Sequence, residues 1–247
     1  MLNVILCGAC GRMGAQVTAL AESRNVKITA GVDVNCRADM PYPIYPSFDL
    51  VQEKADAIID FSRPEGLHTL LAFAVEKKLP VVLASTGYNE SDLAAIKKAT
   101  ESIPVFRSAN MSLGVFVLKT LCARAAAMLP EYEIEIIEKH HNQKLDAPSG
   151  TAVMLYDAVA GENSEAVHGR HGRTQKRQPQ EIGMHAIRGG SVAGEHEVGF
   201  YGPGEYLTLS HLAQDRSIFA NGALRAAHFI AGQAPGEYDM AALVEGL

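Results

Sequence analysis

Cysteine is scarce here, positive charge is not in excess, and no apolar run is long enough to span a bilayer. Each scarcity excludes something. Four cysteines, Cys7, Cys10, Cys36 and Cys122, are too few and too scattered to staple 247 residues, so a disulfide framework is excluded and free thiols are expected. Cys7 and Cys10 do make a C-x-x-C, open to reading as a redox pair or half a zinc site. No second C-x-x-C follows, and a buried strand cysteine next to a turn cysteine is the simpler alternative. With a formal charge of −6, the chain has no general attraction for nucleic-acid phosphates or anionic membranes, so an anionic ligand must meet a local positive site. The basic stretch GRHGRTQKR (169–177) lacks interleaved aromatics and reads as a solvated loop. The opening MLNVILCGACG has too short an apolar run for a spanning helix and no basic region before it, so neither signal peptide nor anchor is expected, and a cytoplasmic protein is. Internal repeats and low-complexity tracts are absent.

What is present is a globular chain, 47% hydrophobic and 20% charged, able to bury one large core or two modest ones. Strand-like NVILCG (3–8), VKITAGVD (26–33), AIIDF (57–61), VVLAS (81–85) and IPVFRS (103–108) alternate with helical RMGAQVTALAES (12–23), EGLHTLLAFAVEKK (65–78) and ESDLAAIKKATE (90–101). Such alternation predicts crossover units on a parallel, doubly wound sheet. From residue 112 the pattern changes. A helix, SLGVFVLKTLCARAAAML, precedes EYEIEIIEKH (131–140), where Glu and Ile mostly alternate as in a strand with one wet face. A helix near 149–160, a polar loop over 161–180 and strands around MHAIRG, GEHEVGFY and EYLTLSHLA predict a second, smaller α+β domain. Helical SIFANGALRAAHFIAG (217–232) then returns the chain to the first domain. The expected division is a first domain over 1–111, completed by about 222–247, and a second over 112–221.

Gly8, Gly11 and Gly14 fall between the first strand and the first helix, where free helix N–H groups receive a dinucleotide pyrophosphate. The spacing is G-x-x-G-x-x-G, one residue off the common form. Asp33, at the end of the second strand, can accept both ribose hydroxyls of an adenosine; its alternative is a strand-end turn residue. Loops 61–64, 84–87 and 108–111 fall at the carboxyl edge of the same sheet, where ligands of such sheets bind.

The stretch EKHHNQKLDAPSGTA (138–152) is the most titratable. Pro148 fits a helix start, Ser149 a cap, and Gly150 and Thr151 would present N–H groups and a hydroxyl at its positive end, a cradle for a carboxylate. Lys144 adds a positive charge, and His140 and His141 can transfer protons near neutral pH. On a strand the two histidines point to opposite faces, so only one need face a cleft. Zinc on His168 and His171 is an alternative, but no acidic or thiol ligand completes a set.

GACGRMG, DFSRPEG, STG, SANMS, GEH (194–196), FANGALRAA (219–227) and above all HH-x-x-K-x-DAPSGTA together resemble the bacterial 4-hydroxy-tetrahydrodipicolinate reductases, also called dihydrodipicolinate reductases, nearly end to end. The resemblance implies a Rossmann-like first domain, a substrate-binding and oligomerisation second domain, and a homotetramer joined through the second domains. It implies reduction of a cyclic unsaturated imine dicarboxylate to tetrahydrodipicolinate in lysine and diaminopimelate biosynthesis, with NADH or NADPH and no metal. Carried over by motif, His140 is the proton donor and Lys144 the second catalytic residue, with His141, Gly150 and Thr151 on the substrate. Gly8, Ala9, Cys10, Gly11, Arg12, Met13, Asp33, Ala84, Ser85, Thr86, Ser108, Ala109, Asn110 and Met111 hold the cofactor. Hydride would go to ring C4, with domain closure between open and liganded states. The chain departs from the family pattern at Ala84 and Ser85, where Gly-Thr is frequent, and at Met111, where an aromatic is common. Val34 stands where some relatives place arginine, and Asp33 would repel a 2′-phosphate, so NADH is the expected preference. Arg12 and Arg37 are near enough in sequence to offset part of that repulsion. Two rival readings remain: another two-domain dehydrogenase, acting on a semialdehyde or hydroxy acid, and a non-catalytic dinucleotide sensor.

Overall fold

A computed structural model describes residues 1–35, 39–172 and 176–246. The chain divides into two compact units, residues 1–112 with 216–247, and residues 113–215. In chain order, the first unit begins with β1 (Leu2–Cys7), α1 (Arg12–Ala21), β2 (Val26–Val32), β3 (Ile44–Tyr45), β4 (Ala57–Asp60), α2 (Leu67–Lys77), β5 (Val81–Leu83), α3 (Glu90–Ala99) and β6 (Pro104–Arg107). The second unit holds α4 (Leu113–Met128), β7 (Glu133–His140), α5 (Gly150–Val159), β8 (Glu165–His168), β9 (Glu181–Arg188), β10 (Gly194–Gly202) and β11 (Glu205–Ala213). The chain then completes the first unit with α6 (Ser217–Ile230), β12 (Gly236–Tyr238) and α7 (Met240–Glu245).

The first sheet has seven parallel strands in the order β12-β6-β5-β4-β1-β2-β3. Its central strands are continuous apolar runs because both faces are covered. Ile5, Ile58, Val81, Leu83 and Val105 pack with Leu67, Leu70, Leu71 and Ala74 of α2 and Ile96 of α3. Residues of opposite parity, among them Val4, Leu6, Ile59, Val82 and Phe106, are as deeply buried on the face that α6 covers at β4, β5 and β6. Strand order reverses at β1, which pairs with β2 on one side and β4 on the other, opening a crevice at their carboxyl ends.

The second sheet runs β11-β10-β7-β9-β8, with β7, β9 and β8 parallel and β10 antiparallel to both β7 and β11. Along β7 the side chains alternate: Ile134, Ile136, Glu138 and His140 are buried, and their neighbours are more exposed. Ile134 and Ile136 pack with Leu118 and Cys122 of α4, Leu155 of α5, Met184 of β9 and Phe200 of β10. The last two inward positions are Glu138 and His140, so the second core ends in buried polar side chains.

Two expectations need correction. The segment 161–180 is not loop throughout: Glu165–His168 forms β8, paired in parallel with β9. The basic stretch beside it is not simply solvated, since Arg170 pairs with Glu181 at 2.8 Å and Arg177 with Glu135 at 3.2 Å and Glu133 at 3.3 Å. Residues 173–175 of that stretch lie outside the described residues. Among the described residues no helix is long and apolar enough to cross a membrane.

Candidate functional site

In the first unit, every residue expected to hold a cofactor lies at the carboxyl ends of β1, β2, β5 and β6. Gly8 has φ +71, and a Cβ there would lie 2.7 Å from the Phe61 carbonyl oxygen; only glycine fits. At Gly14 a Cβ would come within 2.3 Å of the Ala9 carbonyl oxygen, so its absence lets α1 press against the turn. Gly11 is the N-cap and supplies no side-chain cap, while Ala9 is fully buried and Arg12 is exposed at the start of the helix. The positive end of α1 therefore faces the crevice without a side chain folded over it. Asp33 accepts the Cys10 N–H at 3.0 Å through Oδ2 and the Asn35 N–H at 3.0 Å through Oδ1, fastening the end of β2 to the glycine turn. Contrary to the expectation of free thiols, Cys10 is disulfide-bonded; Cys7 and Cys122 are free and buried. Cys36 and Arg37 lie outside the described residues.

Sequence reasoning missed the residue that organises the remaining loops. Asp60, 2% exposed at the end of β4, accepts from the Ser62 N–H at 2.9 Å, from the Ser62 hydroxyl at 2.5 Å and from the Ser85 hydroxyl at 3.1 Å. Burial raises its pKa, and the three donors work against that rise. Ser85 is thus pinned next to Ala84 and exposed Thr86, and a charge ending an otherwise apolar strand was the available signal. Ser108 donates to the Asn110 carbonyl at 2.7 Å, curling the turn through Ala109 and leaving Met111 buried. A Cβ on Gly222 of α6 would lie 1.7 Å from the Met111 carbonyl oxygen, which explains the glycine of FANGALRAA.

In the second unit, strand parity puts His140 inside, 8% exposed, and leaves His141 half-buried beyond the strand end. His140 Nδ1 lies 2.5 Å from Glu138 Oε2. Glu138, 1% exposed, also accepts the Ser149 N–H at 3.0 Å and two Arg188 N–H groups at 2.7 and 2.8 Å. Burial works to raise the Glu138 pKa, yet Arg188, His140 and the Ser149 amide hold it below the usual carboxylate range. Burial also pushes His140 down, opposed by Glu138 and helped by Lys144 and Arg188. His196, on β10, packs edge-on to His140 with ring centroids 5.1 Å apart, and burial depresses it to about 4.

Ser149 is the N-cap of α5, accepting from the Ala152 N–H at 3.2 Å and lying 3.0 Å from His196 Nε2. The helix begins at Gly150, so Pro148 sits just before the cap rather than inside the helix. At Gly150 a Cβ would meet nothing within 4 Å, leaving the first turn of α5 open, and Thr151 follows half-buried. Lys144 pairs with Asp146 at 2.8 Å on the loop leading to that turn. The arrangement brings together one imidazole, one ammonium and the positive end of a helix, a set that suits an anion needing a proton. Glu138, Arg188 and His196 were not foreseen; the register that unites them pairs His140 with Arg188 and Glu138 with His196. Among the described residues no grouping of three or more His, Cys, Asp or Glu could hold a metal ion.

Comparison with known proteins places the chain. Residues 2–111 match the family described as "Dihydrodipicolinate reductase, N-terminus", and residues 114–244 match "Dihydrodipicolinate reductase, C-terminus". A 4-hydroxy-tetrahydrodipicolinate reductase of Caldanaerobacter subterraneus subsp. tengcongensis is 48% identical over 99% of both chains. One of Clostridium tetani is 42% identical over 97% of this chain and 96% of its own. The fold matches that of a dipicolinate-bound dihydrodipicolinate reductase from Paenisporosarcina sp. TG-14, with a TM-score of 0.82 and 23% identity over 97% of each chain. The chain belongs to the dihydrodipicolinate reductase family.

Proposed function

We propose that this chain reduces the cyclic unsaturated imine dicarboxylate derived from 4-hydroxy-tetrahydrodipicolinate to tetrahydrodipicolinate, in lysine and diaminopimelate biosynthesis, with NADH preferred over NADPH. The observation that carries the reading in the second unit is His140 held by Glu138 at the same sheet end as the open N-terminus of α5. His140 delivers the proton that completes the reduction. The Gly150 and Thr151 end of α5 binds one substrate carboxylate, and Lys144 exchanges Asp146 for a second negative group. His141 stands at the strand end as a further contact.

The residues of the first unit fit a nucleotide cofactor. Gly8 and Gly14 exclude side chains from the turn, Gly11 leaves the helix end uncovered, and Asp33 offers its carboxylate beside that turn. Ala9, Cys10, Arg12 and Met13 would contact the phosphates, and Ala84, Ser85, Thr86, Ser108, Ala109, Asn110 and Met111 would line the nicotinamide end. When bound, the dinucleotide supplies a hydride to the substrate ring. No metal enters this scheme.

We further propose a homotetramer assembled through the second units. β11 is a nine-residue edge strand with exposed Tyr206, Leu207 and Leu212, and beside it Leu121, Ala125, Met128 and Leu129 of α4 line an apolar groove of about 480 Å³ with Leu207 and Leu209. A long apolar edge of this kind invites pairing with another copy.

The decisive experiment follows reduced-cofactor oxidation with substrate generated by a coupled synthase. His140→Gln should cut turnover by roughly 10²- to 10⁴-fold while NADH affinity stays near native. Native turnover in that variant would remove His140 from the chemistry. A protein that binds NADH without ever consuming it would be a sensor.

A further inference from the structure

His140 is surrounded by charged and titratable groups from several elements. Glu138, on the same strand, faces Nδ1 at 2.5 Å, and Arg188 of β9 grips both Glu138 oxygens. The loop after β7 contributes Lys144, β10 contributes His196, and His211 of β11 stands opposite His196 in the ladder. The Ser149 amide at the cap of α5 takes the last direction on Glu138 Oε1. With four donors on its two oxygens, Glu138 is fixed in place as a buried anion.

Two consequences follow for the ring. A carboxylate facing Nδ1 requires that nitrogen to carry hydrogen in both charge states of the imidazole, so a transferable proton sits on Nε2. Nε2 borders Gly194, where a Cβ would lie 3.1 Å away; any side chain would crowd the atom that must meet the substrate. Burial, Lys144 and Arg188 all disfavour the imidazolium, and among the described residues Glu138 is the anion placed against it.

We propose that Glu138 and Arg188 are positioning residues for the reduction: Glu138 fixes His140 in the Nδ1–H form with Nε2 as its single proton-donating atom, and Arg188 limits how strongly His140 keeps that proton. This rests on the reading of His140 as the proton donor. A pair with only a structural duty would stabilise the sheet end without setting where or how firmly the histidine is protonated.

The native enzyme gives the first test. Long-range proton–nitrogen spectra of the histidine side chains, with His140 assigned by its loss in His140→Gln, should show the neutral ring protonated at Nδ1. An Nε2–H ring would overturn the proposal. The second test uses Glu138→Gln and Arg188→Met. The His140 midpoint should fall by about one pH unit or more in the first, which removes an anion, and rise in the second, which removes a cation. The limb along which kcat declines with rising pH should move the same way, with KM for NADH unchanged, and Glu138→Asp should restore part of the midpoint. Midpoints that stay at the native value, or that move in one direction in both variants, would overturn the proposal even if turnover drops. Should Glu138→Gln fail to fold, the native tautomer and the Arg188→Met midpoint still decide. Failure of the donor reading looks different: His140→Gln would turn over at the native rate while the midpoints still shifted.

Discussion

The carboxylate of Asp33 accepts the Cys10 N–H on one oxygen and the Asn35 N–H on the other, so its removal changes both the charge of the pocket and the anchoring of the glycine turn. Substitutions separate the two effects. A 2′-phosphate about 5 Å from Asp33 meets a repulsion of roughly 1 to 3 kcal/mol at an effective dielectric near 20, so native kcat/KM should favour NADH by about tenfold. Asp33→Asn removes the charge yet keeps an acceptor for the Cys10 amide, and should narrow that ratio with little loss of NADH binding. Asp33→Ala also frees the turn and should weaken both cofactors. A native preference for NADPH would show that another group governs the pocket. At this scale, legibility in the sequence followed locality. Asp33, His140 and Lys144 sit in short motifs whose chemistry is readable from neighbours. Glu138 is only two residues from His140, but its partner Arg188 and the ring of His196 reach it through cross-strand register, which no local pattern records. Asp60 was hidden likewise, because its partner Ser85 belongs to a different strand's loop.

At the level of elements, glycines mark where one piece of backbone must touch another. Gly14 lets α1 lie against the turn after β1, and Gly222 lets α6 lie against the loop at Met111. Gly14→Ala should push the helix off the turn, lowering stability by about 1 to 3 kcal/mol and weakening cofactor binding more than the stability loss explains. Isothermal titration with NADH alongside urea unfolding measures both. Gly150→Ala is the contrast: a Cβ there meets nothing, so the protein should unfold at the native urea concentration while dicarboxylate inhibitors bind less tightly. Equal inhibitor affinity would move the carboxylate cradle away from α5. The longer elements were legible for different reasons: β7 by its alternation, and α4 by a largely apolar run of sixteen residues, too long for a strand. β8 was not: its four residues, Glu165–His168, are mostly exposed and hold strand form through pairing with β9 alone. β12, three residues long, is shorter still, with its strand form supplied by pairing with the neighbouring β6 rather than by its own sequence.

For the molecule as a whole, both assembly and stability have measurable signatures. If β11 is the edge through which copies join, Leu207→Lys should shift sedimentation from tetramer toward smaller species; a native protein sedimenting as a monomer at micromolar concentration would refute the assembly. Stability should also depend on pH through the buried imidazole cluster of the second unit. His196 is depressed from an ordinary value of 6.5 to about 4, chiefly by burial, then by the neighbouring His140. Between those values the unfolded chain takes up a proton that the folded chain refuses, so stability is present in full above about 6.5 and is lost as pH falls toward about 4. The loss from this residue is on the order of 3 kcal/mol or less, and His140 and His211, both lowered mainly by burial, act in the same direction. Below about 4 the His196 contribution is constant, and further acidification acts through Glu138 and Glu135, which their Arg and His partners hold below the usual carboxylate range. The urea midpoint should therefore fall steadily from pH 6.5 to 4. In His196→Asn, which keeps a polar group near Ser149 but cannot take up the proton, the native protein should be the steeper of the two over that window. Parallel slopes would mean that acid acts elsewhere in the fold.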